Sequence, residues 1–307
     1  MRCLPARAEA RRPLDARWTG GARRAGTGGW PSADVGGRAG VWRGPGLASM
    51  PLYTSEALIL RTYKLGEADR IVVFLTRDRG KRRGVARGAR RPRSRFAGAL
   101  EPLTRVGVAY FEKEQRELVS VNYAEPERSP LASRDPSACV YAEYFAELLD
   151  EWAPEGDPNE RLYRLGASAL DALAENVPIE RLARYFEYWL LRLQGVYPSH
   201  RRCHRCARSL EEPGWGGAFL VPGDAVLICR RCAEQPGTLV KLRAAALSRD
   251  ALGFLSAAAT VAPEGLTELA LNSSAARELE AVHRALITMH LEREPRSVRV
   301  LRELGRP

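Results

Sequence analysis

The chain has 307 residues, 45% of them hydrophobic, which is enough for two domains with sizeable cores and too apolar for a disordered chain. Lys and Arg number 48 against 37 Asp and Glu, a formal net charge of +11 that points to an acidic polymer or surface as the partner. No run approaches the ~18 apolar residues of a membrane-spanning helix, so no membrane partner is expected.

Residues 1–49 carry nine Arg against Glu9, Asp15 and Asp34, which is +6 of the total, and show neither alternating nor helical patterning. With no apolar core of roughly 7–15 residues they do not read as a secretory signal. A transit peptide or a basic arm would share this bias, but ordered patterning begins at once after Met50. We read 1–49 as a disordered, dispensable leader and Met50 as the native start.

From Tyr53 onward, "YTSEALILRTYKLGEADRIVVFLTRDRGKRRGVARGARRPRSR" alternates short apolar runs with turn signals. Ala57–Leu60 and Ile71–Leu75 read as strands, separated by Lys64–Glu67 and followed by the turn Asp78–Gly80. A glycine-rich third strand is expected near Gly84–Gly88, a fourth at Val106–Phe111 and a fifth at Leu118–Tyr123, with a hairpin turn near Lys113–Gln115. Five short strands without a helix among them predict a small barrel over residues 50–128, and the oligonucleotide-binding (OB) fold is the leading candidate.

That barrel carries a nearly single-sign run: Arg77, Arg79, Lys81, Arg82, Arg83, Arg87, Arg90, Arg91, Arg93 and Arg95, with Asp78 as its one acid. A mixed-sign run is ordinarily a solvated face. Ten cations together repel one another unless a polyanion offsets them, and Arg matches phosphate in bidentate geometry, so the run predicts contacts to a nucleic-acid backbone. Tyr63, Phe96 and Tyr110 are the aromatics able to stack on bases, although an aromatic in a small barrel is first a core residue.

Helical spacing takes over after Pro130. "ACVYAEYFAELLDEW" repeats Tyr141, Tyr144, Phe145, Leu148, Leu149 and Trp152 on one face, and "IERLARYFEYWLLRLQG" does the same with Ile179, Leu182, Phe186, Trp189, Leu190 and Leu193. Pro178 suits the first turn of the second helix and Gly195 its stop. "ARELEAVHRALITMHLE" places Leu279, Val282, Leu286 and Met289 together. Residues 129–307 therefore read as a helical domain, with Cys139 on a buried apolar face.

Two knuckles interrupt these helices at about residues 200–236. Cys203 and Cys206 are separated by 22 residues from Cys229 and Cys232, with turn signals at Gly214, Gly216, Gly217 and Pro222–Gly223 and hairpin candidates at Ala218–Val221 and Ala225–Ile228. Paired CxxC turns supply four thiolates to one tetrahedral Zn2+, the zinc-ribbon layout. Disulfides would suggest an oxidising compartment, and a redox motif does not need two pairs. His200 and His204 lie near but are not needed for a complete shell. Four cysteines leave no open coordination position, a deaminase would need an HxE upstream of its cysteines, and no phosphate-cradling GxxxxGK[ST] is present, so no catalysis is expected. The fold class is α+β multidomain: a five-stranded OB barrel followed by a helical domain with a zinc-ribbon insert.

Taken in order, "EALILRTYKLGEADRIVVFLTRDRGKRRGVARGARRPRSRFAGALEP", "VYAEYFAELL", "YFEYWLLRLQGVYPSHRRCHRCAR" and "EREPRSVRVLREL" resemble the family of the bacterial recombination mediator RecO, over most of residues 50–307. The resemblance implies a cytoplasmic, nucleoid-associated protein that binds single- and double-stranded DNA and anneals complementary strands. It also implies loading of RecA, with RecR, onto DNA coated by single-strand-binding protein. Some members lack the cysteines, which implies a structural metal. Two other classes remain open. One is a transcription or RNA-binding factor whose ribbon, with Trp215 and Arg201, Arg202, Arg205, Arg208, Arg230 and Arg231, reads nucleic acid. The other is an adaptor with no nucleic-acid contact, to which the barrel's arginines are a poor fit.

Overall fold

Five strands close on one another in the computed structural model, which describes residues 51–112, 116–210, 217–221, 224–235 and 246–304. They are β1 (Leu52–Leu65), β2 (Asp69–Thr76), β3 (Gly80–Ala86), β4 (Arg105–Phe111) and β5 (Val119–Arg128). Their order around the barrel is β1-β2-β3-β5-β4. The β3–β5 pair is parallel and spans only Gly84–Ala86 against Val119–Val121; the other pairs are antiparallel. Gly84 permits this closure, because a Cβ there would lie 2.7 Å from the Val121 side chain and 2.8 Å from that of Val119. The readings of residues 1–49, of the Lys113–Gln115 turn, and of Gly214, Trp215, Gly216 and Pro222–Gly223 fall outside the described residues.

Alternation gives the barrel strands two apolar faces. Ala57, Ile59, Val72, Phe74, Ala86, Val106, Val108, Tyr110, Val119 and Val121 fill the interior, together with Phe96, Ala99 and Leu100 from the segment before β4. Phe96 and Tyr110 are therefore core, 2% and 0% exposed. The opposite face of β1 and β2 presents Leu58, Leu60, Val73 and Leu75, which join the core of the helical domain.

That domain opens with α1 (Ala138–Trp152), α2 (Glu160–Ala174) and α3 (Ile179–Leu193). Asn159 caps α2, its side chain accepting from the Leu162 N–H. Gly166 of α2 allows the helix to close on its neighbours: a Cβ there would sit 2.7 Å from both Leu58 of β1 and Leu149 of α1. After α3 the chain enters a small sheet of β6 (Ala218–Val221), β7 (Val226–Cys229) and β8 (Ala246–Leu247), ordered β7-β6-β8, with α4 (Arg230–Ala233) following β7. It then returns through α5 (Arg249–Ala258), α6 (Ser273–Leu291) and α7 (Ser297–Leu304). Cys139 stands exposed, not buried. It is the second residue of α1, on the side turned away from Ala138, Ala142 and Phe145.

Between α1, α3 and α6 the core encloses a polar network. Glu187 accepts from the Tyr144 hydroxyl at 2.8 Å and lies 3.2 Å from the Arg184 guanidinium. Its other oxygen is 2.9 Å from His283 Nδ1, whose Nε2 is 3.0 Å from the Tyr197 hydroxyl. Burial acts to raise the Glu187 carboxyl, but Arg184, His283 and Tyr144 outweigh it and hold it below the usual range. Burial lowers His283, against the pull of Glu187, so the imidazole is held in its neutral form.

Candidate nucleic-acid interface and metal centre

The barrel's cations divide by whether an acid of the helical layer reaches them; alternation alone does not separate them, since Lys81 and Arg83 lie on the same side of β3. One group meets the helical layer. Arg61 Nε lies 3.4 Å from Asp150, and its terminal nitrogen is 3.8 Å from both Glu147 and Glu151 of α1. Lys81 Nζ donates to the Asp150 carbonyl at 2.6 Å, lies 3.4 Å from the Asp150 carboxylate, and is only 13% exposed. Arg77 reaches Glu160 at 3.3 Å and Glu56 at 3.6 Å. Arg105 and Arg128 each come within 3.2 Å of Asp171 of α2. Of the ten candidates in the basic run, then, Lys81 is turned into the seam with α1 and Arg77 is shared between barrel and α2.

The second group meets no acid of the helices among the described residues. Arg83, Arg87, Arg91 and Arg93 are exposed, and none forms an ion pair among the described residues. Arg90 is also exposed; its backbone N–H donates to Ala68 and its guanidinium to the Gly66 carbonyl at 2.7 Å, which ties the loop after β3 to the β1–β2 turn. The Gly88 N–H donates to Asp69 in the same tie. Arg95 lies 5.1 Å over the Phe96 ring. Two members are only partly available. Arg79 lies 3.9 Å over the Tyr53 ring, and Arg82 is 4.0 Å from Glu112 with 18% of its side chain exposed. A groove of about 400 Å³ runs beside this group, lined by Val85, Arg87, Arg116, Glu117, Leu118 and Ser120. Arg116 escaped the reading of the sequence because it stands apart from the run and meets Arg87 only through the parallel β3–β5 pairing.

The four cysteines converge. Their sulfurs all lie within 4.8 Å of one another, and Cys206 Sγ is 3.8 Å from Cys229 Sγ. A tetrahedral zinc site with bonds of ~2.3 Å has sulfur–sulfur edges of ~3.8 Å, so the donors match in type, number and spacing. The first knuckle is built by Cys203 N–H donating to Arg208 O and Ala207 N–H to Cys203 O, with Ala207 left-handed at φ 58°. His204 N–H then donates to Leu227 O, docking the knuckle on β7. The Cys229 N–H donates to Cys203 Sγ at 3.3 Å. Burial opposes ionisation of Cys203, but N–H groups of Cys206, Cys229 and Arg205 lower its thiol to about 6. Burial and the neighbouring sulfurs push Cys232 up to about 12. Burial first, then the Cys203 and Cys206 sulfurs, raise Cys229 as well, a cost that a bound cation would offset. His204 is exposed and His200 packs edge-on against Tyr188; neither joins the cluster.

The family model for the recombination protein O N terminal matches residues 50–130, and that for the recombination protein O C terminal matches residues 133–299. The chain belongs to the RecO family. It is 34% identical over 260 residues to a DNA repair protein RecO of Desulforudis audaxviator, covering 83% of this chain and 98% of that protein. The same identity over 198 residues relates it to a DNA repair protein RecO of Koribacter versatilis, covering 64% of this chain and 79% of the relative. A RecO of Bifidobacterium adolescentis is 33% identical over 255 residues, which is 82% of this chain and all of that protein. The family is one of DNA repair and recombination proteins. Among the described residues no helix is long and apolar enough to cross a membrane.

Proposed function

We propose that this chain is a DNA-binding recombination mediator whose barrel holds the phosphate backbone. The observation that carries this reading is the group of exposed arginines, Arg83, Arg87, Arg91 and Arg93, which form no ion pair among the described residues, on a closed five-stranded barrel in a family of DNA repair proteins. Arg90, Arg95 and Arg116 extend the same surface. Guanidinium groups neutralise phosphates on either strand without reading sequence, so single and double strands both bind, and two complementary strands are brought together against their mutual repulsion. With RecR, the protein exchanges single-strand-binding protein for RecA on the strand. The reading places it in the cytoplasm at the nucleoid and assigns it no catalysis.

In this reading Cys203, Cys206, Cys229 and Cys232 hold one structural zinc ion, which contributes folding energy to the ribbon. A second reading, in which the ribbon itself takes the nucleic acid, rests on exposed Arg201, Arg202, Arg230 and Arg231 around the knuckles. Annealing of complementary oligonucleotides coated with single-strand-binding protein tests the proposal. The chain is expected to accelerate annealing, and Arg87→Ala with Arg91→Ala to slow it at unchanged fold. A chain that leaves the coated strands apart, with or without RecR, contradicts it.

A further inference from the structure

Three apolar side chains of the barrel that belong to neither core lie side by side. Tyr63 of β1 is 40% exposed, and Ile71 of β2 and Val85 of β3 are half-buried, yet none packs into the barrel interior or the helical domain. They are in register: Tyr63 pairs with Ile71, Ile71 with Val85, and Val85 with half-buried Ser120 of β5. The four form one row crossing four strands on the outer face, since the alternate residues Val72, Ala86, Val119 and Val121 fill the interior. Strands ~4.8 Å apart make this row ~14 Å long. The Arg61 guanidinium donates to the Tyr63 hydroxyl at 3.3 Å at one end of the row.

Charge flanks the row on both sides. Arg83 stands two residues before Val85 on the same face, and Arg87 two residues after it, beside Arg116 in the groove that Val85 and Ser120 line. The acids bordering this surface are Glu117, which lines the groove, Asp69, which is bonded to the Gly88 N–H, and, at the Tyr63 end, Glu147, Asp150 and Glu151, which Arg61 meets. A flat apolar row headed by an aromatic ring and bordered by guanidiniums matches a strand whose phosphates run along the border and whose bases lie on the row. A duplex turns its base faces inward and offers such a row nothing, whereas every base of a single strand has a face to stack.

We infer that the row Tyr63–Ile71–Val85 is a base-stacking platform that gives the barrel a preference for single-stranded over double-stranded nucleic acid, with Tyr63 as its specificity-determining residue. This rests on the proposal that the barrel's arginines bind the backbone. It adds a second contact class: arginine contacts serve both forms of DNA and weaken with salt, while stacking serves the single strand and hardly responds to salt.

The experiment compares the full chain with Tyr63→Ala and Tyr63→Phe, measuring anisotropy of labelled oligothymidylate, of the same backbone carrying abasic sites, and of a duplex of equal length. Stacking on one ring is expected to make the ratio of single-strand to duplex affinity about tenfold lower in Tyr63→Ala. Tyr63→Phe should keep the wild-type ratio, and Tyr63→Ala should lose the wild-type discrimination against the abasic strand. An unchanged ratio in Tyr63→Ala overturns the inference, as does an equal loss for strand and duplex. If Arg87→Ala with Arg91→Ala still weakens all three probes in that case, backbone binding stands and only the platform fails. Wild-type protein that binds none of the probes overturns both.

Discussion

The barrel keeps an apolar interior of its own, from Ala57 to Ala124, beneath its arginines. The ribbon does not: its strands are four residues or shorter, and the side chains they bury, Leu220, Leu227, Ile228 and Cys229, belong to the core of the helical domain. Both regions display exposed arginine, but only one of them displays it over an apolar interior of its own. A surface that must resist the pull of a polyanion needs a rigid base, which favours the barrel as the DNA-holding part and leaves the ribbon as a metal-dependent strut.

Removing the metal should drive the two regions furthest apart. Zinc–thiolate binding contributes on the order of 10 kcal/mol to a module of this size. Cys203→Ser, or chelation of the full chain, should therefore abolish hydrogen-exchange protection through residues 203–232 while β1–β5 keep theirs and DNA binding persists. Metal analysis of the wild type should return about one zinc per chain. Protection lost equally in barrel and ribbon would erase the distinction.

A smaller effect is expected behind the seam, where α1 holds the start of α7. Glu147 accepts from the backbone N–H of Arg296 at 2.9 Å and of Ser297 at 2.8 Å, as well as from the Ser297 hydroxyl at 2.5 Å, with Arg61 nearby. Replacing it by Ala leaves the buried Ser297 N–H and hydroxyl without this partner and should cost about 3 kcal/mol. Chemical denaturation measures this loss, and DNA affinity of the folded fraction should stay at the wild-type level. A variant as stable as wild type would remove Glu147 from the account of how α1 holds α7.

The smallest effect concerns the root of the ribbon, where Tyr197 meets His283 before the chain reaches Cys203. His283 faces Glu187 and Tyr197, with Arg184 close by, and its pKa is lowered in the folded chain. Between that lowered value and the unfolded value near 6.5, the unfolded chain binds the extra proton, so stability falls as pH falls. Glu187 and Glu147, both lowered, act in the same direction further down, their contribution being complete above about 4.3 and lost as pH drops through their folded values. Unfolding followed between about pH 7.5 and about pH 5.5 should show a loss of about 1 kcal/mol, reduced in His283→Gln. Equal losses in both proteins would remove His283 from the account.

What could be read from the sequence follows which interactions are local. The α1 boundaries, Ala138 and Trp152, coincide with the quoted apolar stripe because the period is unbroken. The CxxC spacing was sufficient to foresee the sulfur cluster, since a knuckle is a local turn. β1 runs from Leu52 to Leu65, beyond the Ala57–Leu60 reading, because its ends carry exposed Thr54, Lys64 and Leu65 and lack an apolar signal. β3 begins at Gly80 and ends at Ala86, not between Gly84 and Gly88, since the glycine that read as a strand start is the one that admits β5. The helices α2, α5 and α7 escaped notice: α2 is rich in Ala with a Gly at its centre, and α5 and α7 are short. Which arginines pair with Asp150, Asp171 or Glu160 depends on helices arriving from far along the chain, and no local pattern reveals it.

The central claim, that the barrel and not the ribbon carries the nucleic acid, is tested most directly by the salt dependence of single-strand binding in two double variants of the full chain. Each phosphate contact on a single strand contributes about −0.7 to the slope of log affinity against log salt. Arg87→Ala with Arg91→Ala should therefore flatten the slope by about 1.4 and weaken binding at low salt, with metal content unchanged. Arg230→Ala with Arg231→Ala should leave slope and affinity at wild-type values. The reverse pattern, a flattened slope in the ribbon variant and an unaltered one in the barrel variant, would contradict the account.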